Sequence, residues 1–417
     1  MAANRGAVIT GSRNLNHLVC VKETPYPTLE DDLIIVKTVA FAVNPTDWKH
    51  ILPELFTSHL AGNLFKKLAF GIYPLEGVLG YIGSTLGHYG GKAGTFLSQR
   101  GFVVGSDVSG IVEEVGSKVT NFKKGDPVAA SLHGGISKNG GFADHVMVSP
   151  NGAIKLSLIL VLEKPLAPGQ YPGSHINSFE AAASLPVGLK TAAISFHYNL
   201  AIPPRKVENK HDYILIWGGA TATGMLAIQV AKLVYGINVI TTASKKHHAA
   251  LKLLGADKTF DYNDPDVVEQ LKRAGENRIK YALDCVSNLQ TFQSVYDATE
   301  GTENARIDNL LFLDEKSIRT KKGRNVKFSF TDGYIIDGRV HFGAKASPEM
   351  LEAFSDFWNS YLPSILDKIQ TAPLEVLPPG LKSANEGLKL LVENTVGGRK
   401  VVFRNEKTVE NIHYEDH

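Results

Sequence analysis

Apolar positions along the chain follow two rhythms, and the change between them near residue 178 predicts two domains. Before it come short runs rich in β-branched residues, at 18–21 (LVCV) and 33–41 (LIIVKTVAF), punctuated by glycine and proline. The stretch 102–116 (FVVGSDVSGIVEEVG) reads as strand, glycine-rich bend and strand; 122–128 (FKKGDPV) and 140–146 (GGFADHV) read as turns into further strands. At 43–48, VNPTDW predicts a turn, with Pro45 ending the preceding strand. Short strands with glycine-rich turns predict a partly closed β-barrel.

From 178 the pattern lengthens. SFEAAASLPVGLKTAAISFHYNL (178–200) is helical with a break at Pro186. Strands at 213–217, 239–243, 259–262 and 281–286 then alternate with helical stretches at 225–235, 247–254 and 267–273, which predicts a doubly wound parallel sheet with crossover helices. The tail predicts helices at 348–369 and 380–393, a glycine turn at 397–398 and a terminal strand ending at 403 that rejoins the first domain. Residues 405–417 are polar and expected to fray. The expected domains are thus 1–177 with 341–417, and 178–340.

Residues 51–100 fit neither rhythm. They mix leucine, aromatics and glycine with few charges. Their glycines interrupt any long amphipathic helix, so the expectation is a flap over the chain's own surface or an interface, ahead of a membrane-facing patch.

Composition narrows the classes. Lys plus Arg is 44 and Asp plus Glu is 42, which gives no reason to expect a nucleic-acid partner. Two cysteines, Cys20 and Cys285, exclude a four-cysteine zinc site within one chain. The first residues carry no apolar run of signal-peptide length, and no stretch reaches the roughly 18 apolar residues of a membrane span. A soluble protein in a reducing, cytoplasmic setting is the expectation.

The most informative local feature is YILIWGGATATG (213–224), a buried strand running into a glycine-rich turn and a helix. Such a junction aims backbone N–H groups and a helix N-terminus at a phosphate. Gly219 and Gly224 have the outer spacing of a dinucleotide turn, while Thr221 replaces the middle glycine and offers a hydroxyl as a hydrogen-bond donor. An NAD site usually has an acid about 20 residues on, at the end of the next strand. Here that strand ends TTASKKH (241–247), whose hydroxyls and lysines suit the 2′-phosphate of NADPH.

Nine segments in order, NPTDWKH (44–50), GSDVSGIVEEVG (105–116), FKKGDPV, GGFADHV, AAASLPVGLKTA (181–192), WGGATATG (217–224), LLGADKTFDYND (253–264), YALDCVS (281–287) and GGRKVVF (397–403), resemble the medium-chain dehydrogenase/reductase superfamily. The resemblance is to its zinc-independent quinone oxidoreductase and enoyl reductase branches, in particular a fungal alcohol-dehydrogenase-like group. It implies an α/β fold, with a GroES-like barrel domain plus a Rossmann-type domain, and hydride transfer from NADPH to a small-molecule acceptor, an enone, quinone or aldehyde. It also implies a homodimer, for which an edge strand in VKFSFTDGYII (326–336) is a second reason. Zinc-dependent members have Cys where Asn44 stands and a His–Glu pair where Ser106–Asp107 stands. No metal is therefore expected, and Asp107 is expected to be a turn carboxylate.

Carried over residue by residue, the resemblance implies that Asn44, Pro45 and Thr46 lie beside the nicotinamide and that Thr191 contacts its ribose or amide. Gly219, Ala220, Thr221, Ala222, Thr223 and Gly224 form the pyrophosphate turn. Ser244, Lys245 and Tyr262 surround the 2′-phosphate and adenosine, Ser287 lies in a loop beside the cofactor, and Lys400 approaches its phosphates. Without a metal the acceptor must be polarised by hydrogen bonds, and Thr46, Lys49 and Tyr73 are the candidates for acid–base work. Two alternatives stand beside this reading: a trans-acting enoyl reductase for a carrier-bound acyl chain, and a non-catalytic, membrane-associated trafficking or binding protein of the same fold.

Overall fold

In the structure, a computed structural model that describes residues 4–52, 100–157, 165–205, 207–339 and 345–406, the chain opens on an antiparallel hairpin, β1 (Asn4–Ile9) with β2 (Val19–Thr24). Strand β3 (Ile34–Ala42) is the spine of the first sheet. Every residue of it but Lys37 is buried, which is why its sequence reads as a continuous apolar run. One edge of β3 pairs with β4 (Asp107–Val115), which continues to β5 (Pro127–Ser131) and β7 (Ile154–Lys155). Its other edge is shared: β6 (His145–Val148) takes Ile34 to Lys37, and β16 (Lys400–Arg404) takes Ala40 to Ala42. β15 (Leu374–Val376) and β8 (Gly169–Tyr171) extend the sheet beyond β16. Phe41, Phe142 and Phe403 meet at its centre with ring centroids 4.9 to 5.6 Å apart. The terminal strand thus rejoins the first domain, as its sequence predicts.

The second unit is a six-stranded, wholly parallel sheet in the order β11 (Lys258–Phe260), β10 (Asn238–Thr242), β9 (Tyr213–Trp217), β12 (Ile279–Asp284), β13 (Ala305–Asn309), β14 (Val326–Phe330). From β9 the chain builds outward in one direction through β10 and β11, then returns to β9 and builds in the other. The carboxyl end of β9 is the switch point of the doubly wound sheet, where such folds bind ligands.

Several elements differ from their expected form. β1 has only a three-residue apolar run, Ala7 to Ile9, too short to stand out in the sequence. Pro45 starts a helix, α1 (Pro45–Ile51), because Asn44 stays extended as its N-cap and the Asp47 carboxylate accepts the Asn44 N–H. The segment at 178–200 is α2 (Phe179–Ala183), α3 (Pro186–Ala193) and a π-helical turn Ile194–Asn199. The helices expected at 225–235, 247–254 and 267–273 are α4 (Ala222–Val230) with a π turn to Tyr235, α5 (His248–Leu253) and α6 (Val267–Gly275); α7 (Leu289–Ala298) follows β12. The helix expected at 348–369 is α8 (Pro348–Asp356), a π turn Phe357–Tyr361 and a 3-10 turn Leu362–Ser364, with Pro363 ending regular hydrogen bonding. α9 (Ser383–Val392) lies within 380–393. Asn405, expected in a frayed tail, is buried and donates to Asp144.

The units also meet the chain at other points than 178 and 340. Among the described residues the first takes in those before 53, 100–187 and 371–406, and the second Gly188–Gln370. α2 stays with the barrel because Ser109 Oγ donates to the Phe179 carbonyl and Arg404 forms a buried bidentate pair with Glu180. α8 stays with the parallel sheet because it packs on the Ile194–Asn199 turn, where His197 Nε2 lies 2.9 Å from Asp356.

Candidate functional site

The turn after β9 is shaped for an anion. Gly218 has a φ of +82°, open to glycine at little cost. A Cβ on Gly219 would lie 2.0 Å from Thr241 Oγ1, and one on Gly224 would lie 2.4 Å from the Gly218 carbonyl oxygen. Neither position admits a side chain, so the turn packs tightly on β10. Thr221 caps α4: its hydroxyl accepts the Gly224 N–H at 2.9 Å and donates to the Gly218 oxygen at 2.8 Å. The donor expected to reach a phosphate is thus used inside the turn. What remains for an anion is backbone: the N–H groups of Ala220, Ala222 and Thr223 make no hydrogen bond among the described residues, and the first turn of α4 carries no acid. A pyrophosphate fits such a cradle.

The end of β10 meets the end of β11. Ser244 Oγ donates to the Tyr262 hydroxyl at 3.1 Å, so two residues expected around one adenosine are neighbours. Tyr262 is 48% exposed and Lys245 and Lys246 are exposed. Asp261, which sequence reasoning passed over, joins them. It accepts hydrogen bonds from the backbone of Asn263 and of Lys245, which hold its carboxyl below the ordinary range. The signal was an acid closing the third strand instead of the second. Ser287 is engaged within the chain. It adopts a left-handed φ of 56° and is buried, with its hydroxyl donating to the Asp284 carbonyl and accepting the Leu310 N–H. It ties the loop after β12 to the loop after β13. Asp284 below it accepts from Ser287, Val286 and Thr291, and burial pushes its carboxyl up to about 6. Thr191 lies nearly buried on α3 beside Gly333.

In the first unit a polar cluster surrounds the start of α1. Asn44 is buried; its Nδ2 donates to Asp107 Oδ2 at 2.8 Å and its Oδ1 accepts from Lys400 Nζ at 2.5 Å. Asp107 also accepts from Lys400 at 3.2 Å and from the Val187 N–H at 2.9 Å. Asp107 is therefore the fully buried hub of this cluster at the start of β4, not a turn carboxylate. Lys400, expected at the cofactor phosphates, spends its ammonium inside its own unit. Asp47 lies beneath, accepting from Ser106 Oγ at 2.6 Å and from the Asn44 N–H at 2.8 Å. Burial pushes the Asp47 carboxyl up to about 7, against the bonds from Ser106 and Asn44 and the charge of Lys400. Pro45 is exposed, and Thr46 and Lys49 are half-buried, three apart and so on one face of α1. Desolvation pushes the Lys49 ammonium down to about 8. Tyr73, and the 51–100 insertion from 53 to 99, lie outside the described residues.

Zinc does not suit this cluster. Its donors are a carboxamide, a hydroxyl and carboxylates, and an ammonium already bonds two of them. Among the described residues no three His, Cys, Asp or Glu side chains group as metal ligands do.

Two family models match the chain: the alcohol dehydrogenase GroES-like domain over residues 30–158, and the zinc-binding dehydrogenase over residues 222–302. An uncharacterized protein of Saccharomyces cerevisiae is 34% identical over 400 residues, 92% of this chain and 94% of its own length. The trans-enoyl reductase TOXD of Cochliobolus carbonum is 33% identical over 338 residues, 80% of this chain and 90% of its own. The quinone oxidoreductase of Coxiella burnetii shares the fold with a TM-score of 0.62 at 22% identity, covering 96% of this chain and 99% of its own.

Proposed function

The chain belongs to the medium-chain dehydrogenase/reductase superfamily, as an NAD(P)H-dependent oxidoreductase of its zinc-independent, enoyl-reductase-like branch, and from that premise we propose that it uses NADPH to reduce a carbon–carbon double bond conjugated to a carbonyl. An enone or enoyl group is the favoured acceptor. A quinone is reducible by the same conjugate chemistry, and an aldehyde by addition at the carbonyl itself.

The observation that carries the preference for NADPH is the junction of β10 and β11. A hydroxyl pair, Ser244 and Tyr262, lies beside exposed Lys245 and Lys246, and no acid ends β10. A 2′-phosphate finds donors and positive charge there, whereas a bare ribose would find no carboxylate at the usual position. Asp261 stands one strand further out, its carboxylate already engaged with Asn263 and Lys245.

Bound NADPH supplies a hydride. The chain's own part is to bind, orient and handle a proton. The N–H groups of Ala220, Ala222 and Thr223, at the positive end of α4, would hold the pyrophosphate. Charge that develops on the acceptor oxygen needs a donor, and Thr46 and Lys49 offer a hydroxyl and an ammonium on adjoining turns of α1. The Lys49 ammonium, with its proton loosened by desolvation, is the better proton source of the two.

Fluorescence titration tests the cofactor assignment. NADPH is expected to bind at least roughly tenfold more tightly than NADH, the order of one or two charge-assisted hydrogen bonds. Lys245→Ala is expected to weaken NADPH and leave NADH nearly unchanged. Equal affinities in the parent protein would remove the assignment.

A second reading follows from the likeness to a trans-enoyl reductase: the acyl acceptor arrives on a carrier protein. It is favoured if turnover with a carrier-bound enoyl chain far exceeds that with the same chain on free pantetheine. Among the described residues no helix is long and apolar enough to cross a membrane.

A further inference from the structure

Lys400 enters the barrel on β16, 356 residues beyond Asn44, and only 7% of it is exposed. Its ammonium, the Asn44 carboxamide and the Asp107 carboxylate close a ring. The ammonium donates to the amide oxygen at 2.5 Å, the amide nitrogen donates to the carboxylate at 2.8 Å, and the carboxylate receives the ammonium at 3.2 Å. Only one orientation of the carboxamide satisfies this ring, because its oxygen must face the cation and its nitrogen the anion. The Asn44 backbone is held as well, by Asp47, which Ser106 holds in turn. Main chain and side chain of one residue are thus clamped at the point where the chain leaves β3 for α1.

A buried ammonium is costly unless it is paired and hydrogen-bonded. Charge balance alone would need only the Asp107 contact. The ammonium also donates to neutral Asn44, and that contact does nothing for the charge of Asp107. We infer that Lys400 is a positioning residue: a built-in cation, set among donors that do not suit a metal, which orients Asn44 and fixes the start of α1, Asn44 to Thr46, at the acceptor, and is not a ligand of the cofactor phosphates. Its effect on turnover rests on the reductase reading; its effect on the helix start does not.

Four proteins separate the possibilities: the parent, Lys400→Met, Lys400→Met with Asp107→Asn, and Asn44→Ala, which keeps the Lys400–Asp107 pair. Four quantities are read on each: thermal stability, amide hydrogen exchange of the peptide spanning 43–52, NADPH affinity by fluorescence, and NADPH oxidation with a crotonyl pantetheine thioester. Lys400→Met is expected to lower thermal stability, and the added Asp107→Asn to recover much of it, since no charge is then left buried alone. In all three variants exchange across 44–48 is expected to rise roughly tenfold or more, as for loss of a charge-assisted bond. Turnover is expected to fall by a similar factor, with NADPH affinity changed by less than about threefold. If the double variant restores both exchange protection and turnover, Lys400 merely balances charge and the inference fails. A tenfold loss of NADPH affinity with unchanged exchange across 44–48 makes Lys400 a phosphate ligand and also overturns it. Should the methionine variants not fold, unchanged exchange in Asn44→Ala overturns it and raised exchange supports it. A parent protein that turns over nothing removes the reductase reading, and the exchange measurement then decides the inference alone.

Discussion

Asp47 and Lys49, two positions apart on α1, carry opposite shifts, and each yields a pH dependence with a definite sign. The Asp47 carboxyl is raised to about 7 by burial, so the folded chain holds that proton more tightly than the unfolded one. Its contribution to stability is fully present below about pH 4 and is lost as pH rises through about 7. Asp47→Asn is therefore expected to flatten the decline in stability between those values, read as the difference between the two proteins in urea melts at several pH values; parallel curves would refute the shift. The Lys49 ammonium is lowered to about 8. If it delivers the proton, kcat falls as pH rises through about 8, and Lys49→Met removes that limb and lowers the plateau by roughly a hundredfold or more. An unchanged limb in Lys49→Met would assign the proton elsewhere. At this scale the sequence was legible where neighbours in the fold follow a strand end, as Ser244 and Tyr262 do. It was not legible at Asn44, Asp107 and Lys400, whose separations of 63, 293 and 356 residues leave no local pattern. The hydrogen bonds of Thr221 and Ser287 were not legible for another reason: a hydroxyl's partner depends on local backbone angles, and both donate to carbonyls of their own turns.

Elements were legible in proportion to how far burial imposed a period on them. β9 is apolar throughout, and β3 is apolar but for Lys37 and Thr38, because burial covers them, and the alternation of strand and helix after 213 announced the parallel sheet. Pro45 and the helix expected at 348–369 misled because proline and apolar period each admit two local outcomes. Asn44 is an N-cap and so makes Pro45 a first helical residue, and Pro363 divides an otherwise helical stretch. The connection that ties distant elements into the barrel is the pair of Arg404 on β16 with Glu180 on α2, at 2.8 and 3.2 Å and nearly inaccessible. Removing one partner leaves a charge buried alone. Arg404→Met is expected to cost about 3–5 kcal/mol in denaturant melts. Replacing Glu180 by Leu as well is expected to recover most of that loss. A loss below about 1 kcal/mol in the single variant would show that the pair is already solvated.

At the scale of the whole molecule, β14 is the last strand of the parallel sheet and has a pairing partner on one side only among the described residues. Phe330 at its end is 47% exposed and packs edge-on against Phe312 at 4.6 Å. Phe312 itself holds a left-handed φ of 58°, an uncommon setting for an aromatic residue. An edge unpaired among the described residues, with an exposed Phe330 packed on a half-buried Phe312, suits a second copy of the chain. Light scattering at micromolar concentration is expected to show a dimer, and Phe330→Glu to shift it toward monomer without lowering the melting temperature of the monomeric fold. Monomer alone in the parent protein would reject this edge as an interface. The fold as a whole was legible because nine motifs fall in order along the chain; the acceptor was not, since acceptor chemistry resides in a few side chains and in no period. The most direct test of the central proposal is therefore the fate of the hydride. The protein is incubated with NADPH carrying deuterium at the transferable position of nicotinamide C4 and with a crotonyl pantetheine thioester, and the product is read by NMR. The predicted product is the saturated thioester with deuterium on the β-carbon and a solvent hydrogen on the α-carbon. An unreduced thioester together with unoxidised NADPH, or deuterium at the carbonyl carbon, would contradict it.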